Sequence, residues 1–126
     1  VSKEGIIQYE SASIKRILGY DEHELTGKNI FQLLHPDDIL YIKNEFYKLI
    51  QQGGTGPLVE FRFLHKAGHY IQLEGQGTNQ LHNQAIKAII INSRDITERK
   101  KAENALHESR SILKAIINAL PDLKFR

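Results

Sequence analysis

Residues 86–93 form an almost continuously apolar run, and this run constrains the fold of the chain more than any other feature. Its length suits a β-strand, and its lack of alternation is typical of a strand that is covered on both faces. Residues 59–64 and 71–76 precede it, and in both of these runs apolar and polar residues alternate. Short turns at residues 66–68 and 81–84 join the three runs. We therefore predict an antiparallel meander that needs helices packed against it.

The residues ahead of the meander predict short helices followed by one longer helix. Ser11 has the side chain of a helix N-cap, and Gly19 has the conformational freedom that ends a helix. Asp21 and Glu24 have the spacing of a capping box, which predicts a second helix start. Between residues 36 and 52 apolar side chains recur at helical spacing. We expect this segment to be a helix with one buried face.

Size and composition exclude several classes of protein. At 126 residues the chain is the size of one domain, and its zero cysteines exclude disulfides, thiolate nucleophiles and cysteine-ligated metals. The formal charge of +2, from 17 basic and 15 acidic residues, is too balanced for a nucleic-acid binder. No apolar run approaches the roughly 20 residues of a membrane span. We expect a cytoplasmic chain without direct membrane contact.

The histidines and carboxylates do not predict catalysis. His65 and His69 flank the first turn of the meander, but two imidazoles without a nearby carboxylate or thiol make a poor metal site. His35 and the two aspartates that follow Pro36 resemble an acid–base cluster, yet the proline favours a helix start there. No Ser-His-Asp triad, carboxylate pair or nucleotide loop is recognisable. We expect neither a metal site nor enzymatic activity in this chain.

Five short motifs follow one another between residue 5 and about residue 100. They are Ile17-Leu18-Gly19-Tyr20 with Glu24-Leu25-Thr26-Gly27, His35-Pro36-Asp37-Asp38, Glu60-Phe61-Arg62, Lys66-Ala67-Gly68, and Arg94-Asp95-Ile96-Thr97-Glu98-Arg99-Lys100. In this order they resemble the PAS domains (PAS/PAC sensory boxes) of bacterial sensor histidine kinases and diguanylate cyclases. The resemblance implies an α+β PAS fold: an antiparallel sheet of strand order 2-1-5-4-3 with helices on one face and a cavity between. A β-like run at residues 6–9 matches the second strand, so the first, central strand is missing.

The resemblance also implies three parts along the chain. A PAS domain at residues 1–97 is followed by a signalling helix at residues 98–120 and by the start of a second PAS domain at residues 121–126. Leu123, Lys124, Phe125 and Arg126 look like the first strand of that second domain. Since unpaired strand edges recruit other strands, we expect these residues of a neighbouring chain to fill the vacant strand position. Neighbouring PAS and output domains are the other expected partners, with a two-component histidine kinase or a diguanylate cyclase outside this chain as the output.

Strand alternation, together with the apolar face of the long helix opposite, predicts which side chains face the cavity that the resemblance implies. They are Ile42, Phe46, Phe61, Phe63, Ile71, Leu73, Ile89, Ile91 and Ser93. This lining could hold a small apolar ligand, but phenylalanines fill such a space equally well as core, and we favour core. Residues 39–52 contain no histidine for a haem, and the flavin and thiol-linked chromophore sites of related domains need cysteine. We expect no cofactor.

The last segment carries apolar or small side chains at alternating spacings of four and three residues. These are Ala102, Leu106, Ser109, Leu113, Ile116 and Leu120. The pattern is typical of a short coiled-coil seam and predicts a parallel homodimer, the alternative being a helix that packs on its own domain. The resemblance makes Asp95, Ile96 and Thr97 the relay between the last strand and the helix, and Asp95 with Glu98 predicts a capping box. We expect a sensing, relay and dimerisation module, or else a PAS spacer in a tandem array with no ligand of its own.

Overall fold

A computed structural model describes residues 1–120, and the chain divides into two compact units, Val1–Asp95 and Ile96–Arg126. The first unit contains, in chain order, α1 (Ala12–Leu18), α2 (Ile30–Leu33), α3 (Pro36–Gln52), β1 (Val59–Leu64), β2 (Tyr70–Gln80) and β3 (Ala88–Asp95). The second unit contains α4 (Thr97–Ala119). The predictions of a second PAS domain and of an exchanged strand concern residues 121–126, which lie outside the described residues.

The three strands form one antiparallel sheet in the order β1-β2-β3, which confirms the predicted meander. Strand β2 is central among them and is longer than predicted, because it continues to Gln80. Strand β3 begins at Ala88, two residues later than predicted. The reason is local, since Lys87 adopts a left-handed φ of 52° that an extended strand cannot contain.

The outer edge of β3, opposite β2, is paired at one position. The backbone N and O atoms of Val1 form two hydrogen bonds with the backbone of Ile89, each 2.8 Å long. Among residues 1–120, no strand pairs with this edge beyond Ile89. The predicted strand at residues 6–9 is wrong, because Ile6 forms only an isolated bridge with Asn29.

Three helices begin where a side chain satisfies a free backbone N–H group. The Ser11 hydroxyl accepts from the N–H of Ile14 at the start of α1, and His35 Nδ1 accepts from the N–H of Asp37 at the start of α3. Both starts agree with the sequence. Helix α2 was not predicted individually, although Asn29, whose side chain caps it, was the available signal.

The predicted helix start at Asp21 is wrong, because residues 21–28 form turns. Half of the capping box does form, since the N–H of Asp21 donates to Glu24 Oε1 at 3.0 Å. The chain cannot continue as a helix, however, because His23 has a left-handed φ of 67°. The two carboxylates bind Lys66 Nζ instead, at 2.6 Å for Glu24 and 2.9 Å for Asp21, and these bonds raise the pKa of Lys66. They fasten this turn to the turn between β1 and β2.

The core lies between the helices of the first unit and one face of the sheet. Leu18, Leu25 and Ile89 are its most deeply buried large side chains. Asn79 is a buried polar residue, and its side-chain amide donates to the carbonyl oxygen of Leu49 at 3.1 Å. This bond ties the end of α3 to β2.

In the second unit, α4 is 23 residues long, and none of its residues is buried. The capping box was predicted with Asp95 as the N-cap, which is one residue ahead of the observed N-cap. Ile96 is the N-cap, and no side chain caps the helix there. Asp95 instead ends β3, where it pairs with Leu73 of β2.

Candidate functional site

An apolar groove of about 710 Å³ lies between the helices and the sheet of the first unit. Strand β3 lines it from Ala88 to Ser93, together with side chains of α3 and residues 7–11. Two glycines of β2 let other side chains approach the sheet closely: a Cβ atom on Gly77 would lie 2.7 Å from Leu49 Cδ2, and one on Gly75 would lie 2.8 Å from Phe61 Cε1. The groove therefore lies over all three strands, and the two glycines let Leu49 and Phe61 reach its floor on β2.

The predicted cavity residues lie along this groove, with one exception. Ile42, Phe46, Phe61, Phe63, Leu73, Ile89, Ile91 and Ser93 line it, whereas Ile71 packs against the core without lining it. Their burial differs along β3. Ile89 is completely buried, but Ile91, two residues further on the same face, is 37% exposed. The groove is thus closed near Ile89 and open towards the end of β3.

Glu10 is the polar residue that distinguishes this groove. Its side chain is part of the lining, and both carboxylate oxygens are buried without a hydrogen-bond partner among the described residues. Burial of a carboxylate is costly unless a cation or a hydrogen-bond donor offsets it. Sequence reasoning missed Glu10, since it follows a predicted strand and belongs to no motif.

The backbone of β3 adds further unpaired groups. In an antiparallel ladder the N–H and C=O groups of alternate residues point to the same side. Ile89 directs its backbone groups at Val1, so Ile91 and Ser93 direct theirs to the same outer edge, while Ile90 and Asn92 direct theirs at β2. Within residues 1–120 this edge is a row of free donors and acceptors, which is the geometry that recruits an added strand.

An ion pair fixes the start of α3 over the sheet. Asp38 Oδ1 and Oδ2 accept hydrogen bonds of 2.8 and 3.0 Å from the guanidinium group of Arg62, and Oδ2 also accepts from the backbone N–H of Arg62 at 2.8 Å. The side-chain hydrogen bonds from Arg62 hold the pKa of the Asp38 carboxyl below its ordinary value. Helix α3 is thereby positioned to direct Ile42 and Phe46 into the groove.

The histidines of the meander turn contact each other. The rings of His65 and His69 stack with their centroids 4.3 Å apart, and His65 Nδ1 accepts from the backbone N–H of Ala67. Among residues 1–120, no group of three or more histidine, cysteine or acidic side chains could hold a metal ion. His35 caps α3, as described above.

The apolar side chains of α4 form the second exposed feature. Leu106, Leu113, Ile116 and Leu120 of the predicted seam are 43–59% exposed, as are Ile112 and Ile117 at 61% and 49%. The predicted relay residues lie at the junction: Asp95 ends β3, Ile96 is the N-cap, and Thr97 begins α4. No helix within residues 1–120 has the length and the apolar content to cross a membrane.

A small antiparallel sheet, helices over an apolar groove and a long exposed helix directly after the last strand define a sensor or relay module. Residues 7–92 match the family model described as the PAS fold, and the chain belongs to this family. PAS domains are sensor modules of signalling proteins and are not themselves catalytic.

Two solved structures show the same fold. A sensory box histidine kinase/response regulator from Burkholderia thailandensis superimposes with a TM-score of 0.65 at 30% identity, over 85% of this chain and 81% of that chain. The PAS-B domain of Drosophila melanogaster Cycle superimposes with a TM-score of 0.63 at 22% identity, over 75% of this chain and 93% of that chain. At 22% identity, the likeness to the Cycle domain shows only that the fold is shared.

The curated relatives include eukaryotic proteins. The Period circadian protein of Manduca sexta is 29% identical over 70 residues, which are 56% of this chain and 20% of that protein. The White collar 1 protein of Neurospora crassa is 31% identical over 78 residues, which are 62% of this chain and 6% of that protein. The chain thus spans a small part of these relatives. Dimerisation with other PAS proteins is common in the family.

Proposed function

We propose that this PAS domain relays a signal within a larger signalling protein and that α4 is the dimerising output helix. The observation that carries this proposal is the direct passage from sheet to helix. Strand β3 ends at Asp95 and α4 begins at Thr97, so only Ile96 separates them. A movement of β3 would reach the helix without a flexible linker, which makes Asp95, Ile96 and Thr97 the relay.

The surface of α4 supports pairing with a second copy. A helix that exposes a continuous apolar face to water is stabilised when another apolar surface covers that face. The seam repeats at the spacing of a coiled coil, and a parallel pair of identical helices brings each seam residue against its own copy. Ala102 and Ser109 give the seam small contacts, so that a change in helix register or rotation costs little, as a two-state relay requires.

A single cysteine on the seam tests this pairing. Leu113→Cys is expected to form a covalent dimer under mild oxidation, because residue 113 of each helix would meet its counterpart. The natural chain has no cysteine to compete. Non-reducing electrophoresis measures the product.

Ser111→Cys is the matched control, since residue 111 lies on the opposite side of the helix from residue 113. It should form no covalent dimer under the same conditions. Equal cross-linking of both variants, or of neither, would contradict a parallel pair through this seam.

The output enzyme is proposed to be a histidine kinase. The 30% identity with the Burkholderia sensory box kinase supports this choice over a diguanylate cyclase. The alternative role, a PAS spacer in a tandem array, would use the same helix but have no ligand.

A small apolar ligand is a second candidate for the groove, since the groove volume of about 710 Å³ is large enough for one. Native mass spectrometry of the purified chain separates sensing from relay. A stoichiometric small molecule would show that the domain senses a ligand, whereas a dimer without one would favour relay. Haem, flavin and thiol-linked chromophores are not expected in that spectrum.

A further inference from the structure

The second half of α4 exposes a wider apolar surface than a seam between two helices needs. Ile112, Leu113, Ile116, Ile117 and Leu120, here called the broad face, are 43–61% exposed. Because each residue of a helix is turned by about 100° from the one before it, these five side chains cover an arc of about 140°. A coiled-coil seam uses positions a and d alone, whereas a helix in a bundle also buries position e or g. The broad face therefore fits more than one neighbouring helix.

We propose that the broad faces of four copies of this chain pack together, so that two α4 pairs join in one parallel four-helix bundle. The proposal rests on the parallel pairing of α4 proposed above and adds a second pair to it. The partner that covers the broad face is thus the same helix from other copies. The residue types on the seam, the residues that flank the seam and the first half of α4 support this arrangement.

The residue types on the seam favour more than two helices. Leu113 and Leu120 take position a of the heptad, and Ile116 takes position d. Two-stranded coils favour a β-branched residue at a and leucine at d. Leucine at a with isoleucine at d, which this seam has, shifts the preference to trimers and tetramers. Since the helices are proposed to pair, four is the number that keeps each pair intact.

The residues that flank the seam favour identical helices as the partners. Ile112 takes position g and Ile117 takes position e, where coiled-coil dimers often carry glutamate and lysine. In a parallel coil a residue at g lies beside the residue at e that is five positions later on the neighbouring helix. Ile112 of one copy therefore meets Ile117 of another. This contact stays at the edge of a pair, open to water, whereas four helices bury it.

The first half of α4 does not continue the broad face. Glu103 and Arg110 take the e positions there, and the seam contains the small residues Ala102 and Ser109. Burial of charged side chains between helices is costly, so the bundle is confined to residues 112–120. The second half of α4 would then hold the copies together, while the first half remains able to change its register or rotation.

The number of chains in the particle tests the proposal. Sedimentation equilibrium of the purified chain is expected to show particles of four chains that exchange reversibly with particles of two. Ile112→Gln combined with Ile117→Gln removes the apolar flanks and leaves the seam in place, so this double variant is expected to form particles of two chains only. Circular dichroism of the same sample checks that the helix content is retained.

Ser111→Gln combined with Ala115→Gln is the matched control. It introduces the same two side chains on the side of the helix opposite the broad face, and particles of four chains should persist. A triple variant, Leu113→Ile with Ile116→Leu and Leu120→Ile, exchanges the residue types on the seam without removing any apolar atoms. It should raise the fraction of two-chain particles at the same concentration.

Four chains in the flank variant, two in the control, or an unchanged two-chain fraction in the triple variant would each overturn the proposal. Particles of two or three chains for the natural sequence would also overturn the four-helix bundle. Two chains, with the Leu113→Cys cross-link formed, would leave the proposed helix pair standing. Single chains without that cross-link would contradict the pair as well and assign the broad face to a different partner.

Discussion

Truncation of Ile89 to alanine is expected to lower the free energy of unfolding of the first unit by about 3 to 4 kcal/mol. Ile89 has 0% exposure and belongs to the main core cluster, so the truncation leaves a cavity that its neighbours cannot fill completely. For a domain with a total stability of about 5–15 kcal/mol, this loss is a large fraction. Urea denaturation followed by circular dichroism measures it.

Ile90→Ala is the matched control for this truncation. It removes the same atoms from the next residue of the same strand, but Ile90 is 38% exposed, and we expect a loss below about 1.5 kcal/mol. Losses of similar size for the two variants would show that the Ile89 side chain is not buried in the hydrophobic core.

Asp38→Asn is expected to cost about 2 kcal/mol at neutral pH, because it removes the charge that accepts three hydrogen bonds from Arg62. We take a value near the lower end of the range for charged hydrogen bonds, since the Arg62 side chain is 38% exposed and solvent screens the pair. The same denaturation measurement applies. Asp37→Asn is the control, as it removes a carboxylate from the same helix turn, where the side chain is 78% exposed.

The stability lost in Asp38→Asn depends on pH, and the direction of that dependence follows from the pKa of Asp38. The folded state lowers the pKa of this carboxyl below its value of about 3.9 in unfolded chains. Its contribution is therefore fully present above that value and disappears as the pH falls through the lower, folded pKa. The difference between the natural chain and Asp38→Asn should shrink below about pH 4. A difference that stayed constant down to the acid transition would contradict the ion pair as its cause.

Features with a regular period could be predicted from the sequence. Helix α3 and the meander follow from recurring apolar positions, and the side-chain direction in a strand depends only on its alternation. For that reason the cavity residues of β3, Ile89 and Ile91, could be placed on one face without coordinates. The helix-capping roles of Ser11 and His35 are also local, since each involves a bond to a residue two or three positions away.

Features that depend on distant partners could not be predicted. Asp21 and Glu24 have the spacing of a capping box, but their carboxylates bind Lys66, more than 40 residues away in the sequence. Histidine is enriched among the few non-glycine residues with positive φ, but that tendency is too weak to place a left-handed residue at His23. The burial of Glu10 depends on how residues 7–11 lie along the groove, which no periodic pattern encodes.

The pairing of Val1 with Ile89 has a further consequence for any chain in which residues precede Val1. Such residues would be delivered to the β3 edge by a covalent connection with no linker, at an effective concentration of at least the millimolar range. An intramolecular segment with alternating apolar residues would therefore pair with this edge in preference to an equivalent strand offered by another molecule. Pairing at the β3 edge would then be set by covalent connection as well as by the sequence of the strand.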